Sequence, residues 1–274
     1  MTTSFSSPST HVGDSIGRDR WGRPLISPPD GSKPIAYTRV STLAKVLDDK
    51  TTLMQWKCRQ TALGMGRRKD LVALAKTATA DDKSRLNEIV ESAMAAAESD
   101  SAANMGTALH SMFESIDLGA DPDEFGAEFA PDLHAYRTAM TGIEVLAREL
   151  FVVCDELQAA GSFDKLVRLP DGRIVVSDVK TGQHEPDYPH GAATQIAIYS
   201  RSHVYHPEKG RVLSLPEMGV SQDVGLLIHS PAGKATTNLY LLDLTVGWAL
   251  ATTAVAVRKA FKAKPIVPFT PAST

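Results

Sequence analysis

The sequence predicts an α/β (α+β) chain in which a mixed β-sheet is flanked by helices. Three observations predict it. The first half places apolar residues at helical spacing, as at Met105, Leu109, Met112 and Ile116. A hairpin signal follows, with apolar alternation on both sides of Leu169-Pro-Asp-Gly172, where Pro, Asp and Gly each suit a turn position. The periods then run in the order helices, three strands, a helix, two strands, a helix, which stacks helices on a sheet.

The totals bound the function. A chain of 274 residues holds one large domain or two small ones, and 43% hydrophobic with 22% charged residues is ordinary for a soluble globular protein. No apolar run approaches the ~20 residues that span a bilayer, so no membrane partner is expected. The first 29 residues are rich in Ser, Thr, Gly and Pro and lack the apolar core of a secretory signal. Cys58 and Cys154 stand far apart with no CxxC pair, which argues against a disulfide framework, a zinc site or an iron–sulfur cluster. A reducing cytoplasm is the expected compartment. With a net charge of −3, any affinity for nucleic acid must be local. Arg67-Arg68-Lys69 and the run Arg258, Lys259, Lys262, Lys264 are the two candidates, and each reads equally well as a solvated helix end.

Taken in order, residues 1–36 read as a flexible arm, with Pro24, Pro28, Pro29 and Pro34 and little periodicity. Residues 37–274 read as one domain, mainly helical to 148 and sheet-bearing from 149. Ser41 or Thr42 is a plausible helix cap before Leu43, Val46 and Leu47. Residues 53–62 form a second helix with Trp56 as its bulky core residue, and Leu71, Leu74 and Ala75 mark a third. An Ala-rich helical region runs over 82–117, with a break expected near 99–101. Residues 131–147 are read as helix, 149–154 as strand, and 192–204 as helix. Strands at 223–229 and 237–243 precede a C-terminal helix with Trp248, Ala251 and Val255 on one face.

The hairpin carries the chemistry. Side chains alternate along a strand, so Asp164 is expected on the face of Ser162 and Leu166, and Asp178 and Lys180 on that of Val176 and Ile174. Two carboxylates and an ammonium gathered there suit a divalent ion and a phosphate. The plain alternative is a surface hairpin with ion pairs worth ~0–1 kcal/mol, since D-x-K is a common pattern. On the helix before it, Thr107, His110, Glu114 and Asp117 share a face beside the buried stripe, which puts His110 at the border of core and solvent. Gly106 costs that helix about 1 kcal/mol relative to Ala and marks a close approach of another element.

Four segments, Gly106-Thr-Ala-Leu-His110, Gly161-Ser-Phe-Asp164, Asp178-Val-Lys180-Thr-Gly182 and Gln195-Ile-Ala-Ile-Tyr199, stand in the order and at roughly the spacing of the PD-(D/E)XK nucleases. Over residues 37–205 the chain resembles their RecB-like branch, which includes the CRISPR-associated spacer-acquisition nuclease and many phage exonucleases. The resemblance implies a restriction-endonuclease-like core and a metal-dependent DNA exonuclease of phage recombination or replication, acting on linear DNA ends in the host cytoplasm. It implies Mg2+ or Mn2+ held by His110, Asp164, Asp178 and the backbone carbonyl of Val179, with Lys180 as the catalytic lysine. Gln195 and Tyr199 would organise the site and contact DNA. Glu149 stands where many members carry an acidic residue before the first core strand, and reads either as a ligand of a second metal or its water, or as a strand-edge Glu. Ser162-Phe163 departs from the usual Thr and smaller apolar residue, and the cysteines that hold a cluster in some relatives are missing. No GxxxxGK[ST] phosphate loop occurs, so no nucleotide cofactor is expected and any helicase or strand-annealing partner is a separate chain. The alternatives are a structure-specific endonuclease of the same fold and a catalytically inactive DNA-binding module. Relatives include rings and monomers, so the oligomeric state stays open.

Overall fold

The computed structural model describes residues 12–97 and 101–266. Short strands β1 (Leu25–Ile26), β2 (Ile35–Ala36) and β3 (Thr38–Arg39) precede α1 (Val40–Ala44), α2 (Thr51–Arg67), α3 (Lys69–Lys76), α4 (Lys83–Ala96), α5 (Ser101–Asp117) and α6 (Ala130–Ala139). Then come β4 (Glu144–Cys154), β5 (Ala159–Arg168), β6 (Ile174–Lys180), α7 (His190–Ser200), β7 (His203–His206), β8 (Gly210–Ser214), β9 (Val224–His229), β10 (Asn238–Asp243) and α8 (Leu244–Ala260). The main sheet runs β10-β9-β6-β5-β4-β7-β8, with β3 beside β5. It is mixed, because β6 pairs β9 and β3 pairs β5 in parallel while the hairpins are antiparallel. This is the helix-flanked mixed sheet that the sequence predicts.

The core lies on both faces of the sheet. On one face Val152, Phe163, Leu166, Val176 and Leu227 pack against α1, α7 and α8 through Leu43, Ile196 and Ala251. On the other, Val167, Val175, Val179 and Ile228 pack against Leu109 and Phe113 of α5 and Leu133 and Tyr136 of α6. Ile16, Ile26 and Tyr37 cover Phe151, Val153 and Tyr205 beside that second layer. Strand β6 is apolar on both faces because both are covered, as expected for a strand with a parallel neighbour. Among the described residues, no helix is long and apolar enough to cross a membrane.

Several expectations are corrected. Residues 12–36 are not a flexible arm: Ile16 and Ile26 are buried against the sheet, and residues 1–11 lie outside the described residues. The first helix begins at Val40, with Arg39 at its cap position, ahead of Ser41 and Thr42. Trp56 is only half-buried on a helix whose sole buried residue is Gly64. The helix expected over 131–147 ends at Ala139, and β4 begins at Glu144, five residues early. Gly142 in a left-handed conformation makes that turn. The helix expected to reach 204 ends at Ser200, and β7–β8 form a hairpin that the polar run His203–Ser214 disguised. The break expected near 99–101 touches residues 98–100, which lie outside the described residues.

Candidate active site

Strand β5 is bordered by β4 along its whole length, and its other edge is divided. β3 pairs it at Ala159 and Ala160, and β6 pairs it from Lys165 to Arg168. Residues 161–164 have no strand on that edge. The β5–β6 ladder ends at Lys165 opposite Ser177, so Asp164 and Asp178 come next, at the mouth of a fork. The Asp164 Oδ2 accepts the Val179 backbone N–H at 2.7 Å, closing with a side chain what the ladder leaves open. Val179 is thus tied to the site through its amide; its carbonyl is the atom the resemblance implies.

The strands also change phase here. Ala159 and Phe163 face the α7 side, yet so does Leu166, while Lys165 and Val167 face α5 and α6. Ser162 points to the arm, where a Cβ on Gly13 would lie 2.9 Å from its Oγ. The expectation that Asp164 shares a face with both Ser162 and Leu166 is therefore corrected, because the alternation slips at Asp164. Across from it, between the pairs Arg148–Lys165 and Leu150–Phe163, sits Glu149 with φ of +47°. A non-glycine residue held there costs of order 1–3 kcal/mol and persists only where its surroundings enforce it. Glu149 lies inside β4, not before the first core strand.

Helix α5 brings the remaining groups. His110 Nδ1 lies 3.9 Å from Asp164 Oδ2. Burial holds the imidazole pKa below its usual value, with Asp164 opposing and Lys180 and Lys165 reinforcing the effect. The ring is therefore neutral, so the contact is not an ion pair at neutral pH, and neutral is the ligating form. One turn on, the Glu114 carboxyl lies beside that of Glu149. Burial pushes the Glu149 carboxyl up to about 7, and the charges of Asp164 and Glu114 add to the rise. Burial likewise pushes Asp178 up to about 6; Lys180 pulls it down and Asp164 raises it further. Lys180 Nζ lies 2.5 Å from Asp178 Oδ2, an ion pair by distance, yet that buried oxygen has no partner in hydrogen-bond geometry.

Two glycines let the elements meet. A Cβ on Gly106 would sit 2.7 Å from Thr181 Oγ1, so α5 touches the end of β6 only because the residue has no side chain. This is the close approach that the helix glycine signals. A Cβ on Gly161 would sit 3.3 Å from Tyr199 Oη. Tyr199 is buried, and its hydroxyl pKa is raised by burial and then by Asp178, Asp164 and Glu149, which places α7 against the site. Gln195 Nε2 bonds the Gly191 carbonyl of its own helix at 3.4 Å.

The structure thus gathers His110, Glu149, Asp164, Asp178, Val179, Lys180 and Tyr199, and leaves Gln195 turned to its own helix. Reading by sequence missed two members. Glu114 was legible as the residue one turn after His110, on the same face. Lys165 was not: it is 2% exposed, with Nζ 2.6 Å from Asp117 Oδ2 and 2.5 Å from Tyr136 Oη. A lysine in a strand gives no sign that it is buried. Among the described residues, no three His, Cys, Asp or Glu side chains form a group able to hold a metal ion in this arrangement. No family model matches the chain, and no curated protein matches it.

Proposed function

We propose that the chain is a metal-dependent deoxyribonuclease of the PD-(D/E)XK type that hydrolyses phosphodiester bonds at the ends of linear DNA. One observation carries the reading: the β5–β6 ladder stops one residue short of Asp164 and Asp178 and opens a fork with Lys180 beyond it and His110 alongside. The donor set fits a hard divalent cation. It offers the carboxylate oxygens of Asp164 and Asp178 and a neutral imidazole, with the buried Asp178 carboxylate paired to Lys180. Asp164, Asp178 and His110, with the Val179 carbonyl, would hold Mg2+ or Mn2+. Such an ion would supply charge neutralisation at the phosphate and a water of lowered pKa.

The chain's own groups do the rest. Lys180, about half exposed at the fork, donates to the attacking water or to a phosphoryl oxygen and stabilises the charge that develops there. Glu149, poised at about 7, accepts a proton near neutral pH. Tyr199 packs under Gly161 and keeps β5 in place.

The test uses 5′- and 3′-labelled single- and double-stranded linear DNA, with closed circles as controls, in Mg2+ or Mn2+. Wild type degrades linear DNA and spares circles, and Asp178→Ala and Lys180→Ala do not cut. Intact linear DNA with wild type, or variants as fast as wild type, overturns the reading. Cut circles select the endonuclease. The Lys180–Asp178 contact favours a second reading, a DNA-binding module that has lost catalysis; binding without cutting selects it.

A further inference from the structure

We infer that a basic groove beside the fork binds single-stranded nucleic acid, with Trp21 as a platform for an unstacked base. Two adjoining concavities, of about 330 Å³ and 410 Å³, share Arg39, Thr42 and Arg258 as walls. The first adds Trp21 and Arg23, the second Lys45 and Lys50. No acidic residue lines either. Arg23 is neutralised by Asp19 at 2.6 Å, but among the described residues Arg39, Lys45, Lys50 and Arg258 have no ion-pair partner. A protein of net charge −3 has thus concentrated unpaired cations on one concave wall. Like charges so placed repel one another, and a polyanion relieves that repulsion while releasing its own counterions.

Of the two basic runs in the sequence, only one contributes. Arg68 is paired with Asp70 at 2.6 Å and Arg67 bonds the Ala96 carbonyl at 2.9 Å, so that run ties helices together. Arg258, in the last turn of α8, turns into the groove instead.

The occupant follows from shape and from Trp21. The indole is 60% exposed and lines the groove, with the guanidinium carbons of Arg20 and Arg23 at 4.0 Å and 5.0 Å from its ring centroid. Aromatic faces backed by arginine stack bases of any sequence, and only an unpaired strand offers a base to stack. The groove also leads to the fork. Arg39 is on β3, which pairs with Ala160 of β5, and Val40 meets Gly161. From Ala160 the open edge of β5 runs four residues to Asp164, about 13 Å at ~3.3 Å per residue. A strand seated in the groove and running toward the fork therefore passes the stretch of β5 that no strand pairs, where Val40 and Tyr199 lie against Gly161. The inference rests on the nuclease reading for that direction alone, not for the binding.

Fluorescence anisotropy in EDTA tests it, with fluorescein-labelled oligothymidylate and a duplex of equal length as probes. Wild type binds the single strand more tightly than the duplex. Arg39→Ala/Lys45→Ala/Arg258→Ala weakens single-strand binding roughly tenfold or more. It also flattens the dependence of log affinity on log salt by about 2, three contacts at ~0.7 each. Trp21→Ala weakens single-strand binding about fivefold or more and leaves the duplex unchanged. The conservative Arg39→Lys/Arg258→Lys variant keeps the salt slope, which separates lost charge from lost fold. Wild-type affinity and slope in the triple variant overturn the inference, as does a wild type that prefers duplex. If the groove binds as stated but Mg2+ or Mn2+ brings no cleavage, the nuclease reading fails and this one stands; cleavage with unaltered groove variants is the reverse.

Discussion

The Asp164 carboxylate accepts the Val179 amide across the opening between β5 and β6, and so is both a structural clasp and the nearest acid to His110. The two roles separate by substitution. Asp164→Asn keeps an acceptor oxygen but loses the charge, so DNA cleavage falls at least about 100-fold while urea denaturation shifts by less than about 1 kcal/mol. Asp164→Ala loses both, and the buried Val179 amide left unpaired costs about 1–3 kcal/mol. Equal stability of the two variants would show that the clasp contributes nothing.

Asp178 is held charged at a cost. It is 7% exposed and its carboxyl is pushed up to about 6 by burial. Asp178→Asn removes a buried charge near Asp164, so without divalent ions the variant melts at or above the wild-type temperature. Mn2+ reverses the ranking. It stabilises wild type by about 2.7 kcal/mol at a hundredfold excess over Kd and leaves Asp178→Asn unmoved. Melting curves with and without Mn2+ read both effects, and an Mn2+ response retained in the variant would remove Asp178 from the ligand set.

Much of the sheet was legible because its signals were local. Pro170, Asp171 and Gly172 turn β5 into β6, and Gly172 N–H bonds the Leu169 carbonyl as a tight turn requires. Residues 224–229 and 238–243 were legible because β9 is buried and apolar and β10 follows a turn at Gly233. What failed depended on distant contacts. The first half of β4 reads as helix because Arg148 and Glu149 interrupt its alternation, and both find their surroundings only in the folded chain, Arg148 beside Asp117 and Glu149 beside Lys165 and Glu114 of α5. Residues 12–36 look disordered until Ile16 and Ile26 find Phe151 and Val153. In the candidate site, the meeting of Asp164, Asp178 and Lys180 was legible from the hairpin, and that of His110 only from the order of segments that carries the resemblance. The phase slip that aims Asp164 was not, since nothing in Ser162-Phe-Asp-Lys165 marks it.

Glu149 gives the pH dependence a sign. Its folded pKa of about 7 lies above the reference of 4.5, so the native state binds the extra proton. Its contribution is fully present below pH 4.5 and is lost as pH rises through about 7. Asp178, also raised, acts in the same direction over part of that window. Glu149→Gln isolates the Glu149 share: the variant matches wild type near pH 4.5 and is the more stable of the two above pH 7. Parallel melting profiles across that range would mean that burial beside Asp164 and Glu114 does not raise the Glu149 carboxyl.

Lys165 anchors the site from behind. Its ammonium reaches Asp117 and Tyr136 from a strand position adjacent to Asp164, and Arg148 lies 3.9 Å from the same carboxylate. Removing one partner of a buried pair strands the other in a poor solvent, typically at about 3–5 kcal/mol. Lys165→Met therefore lands near the low end of that range, because Arg148 remains to neutralise Asp117. Asp117→Leu lands higher, since it leaves Lys165 and Arg148 without their counter-ion and the Tyr136 hydroxyl without its acceptor. The double variant recovers part of the loss, which urea denaturation of all three proteins measures. Additive losses would mean that Lys165 and Asp117 are not coupled. Because α5 also carries His110 and Glu114, loss of the Asp117 anchor should lower cleavage beyond what the lost stability explains.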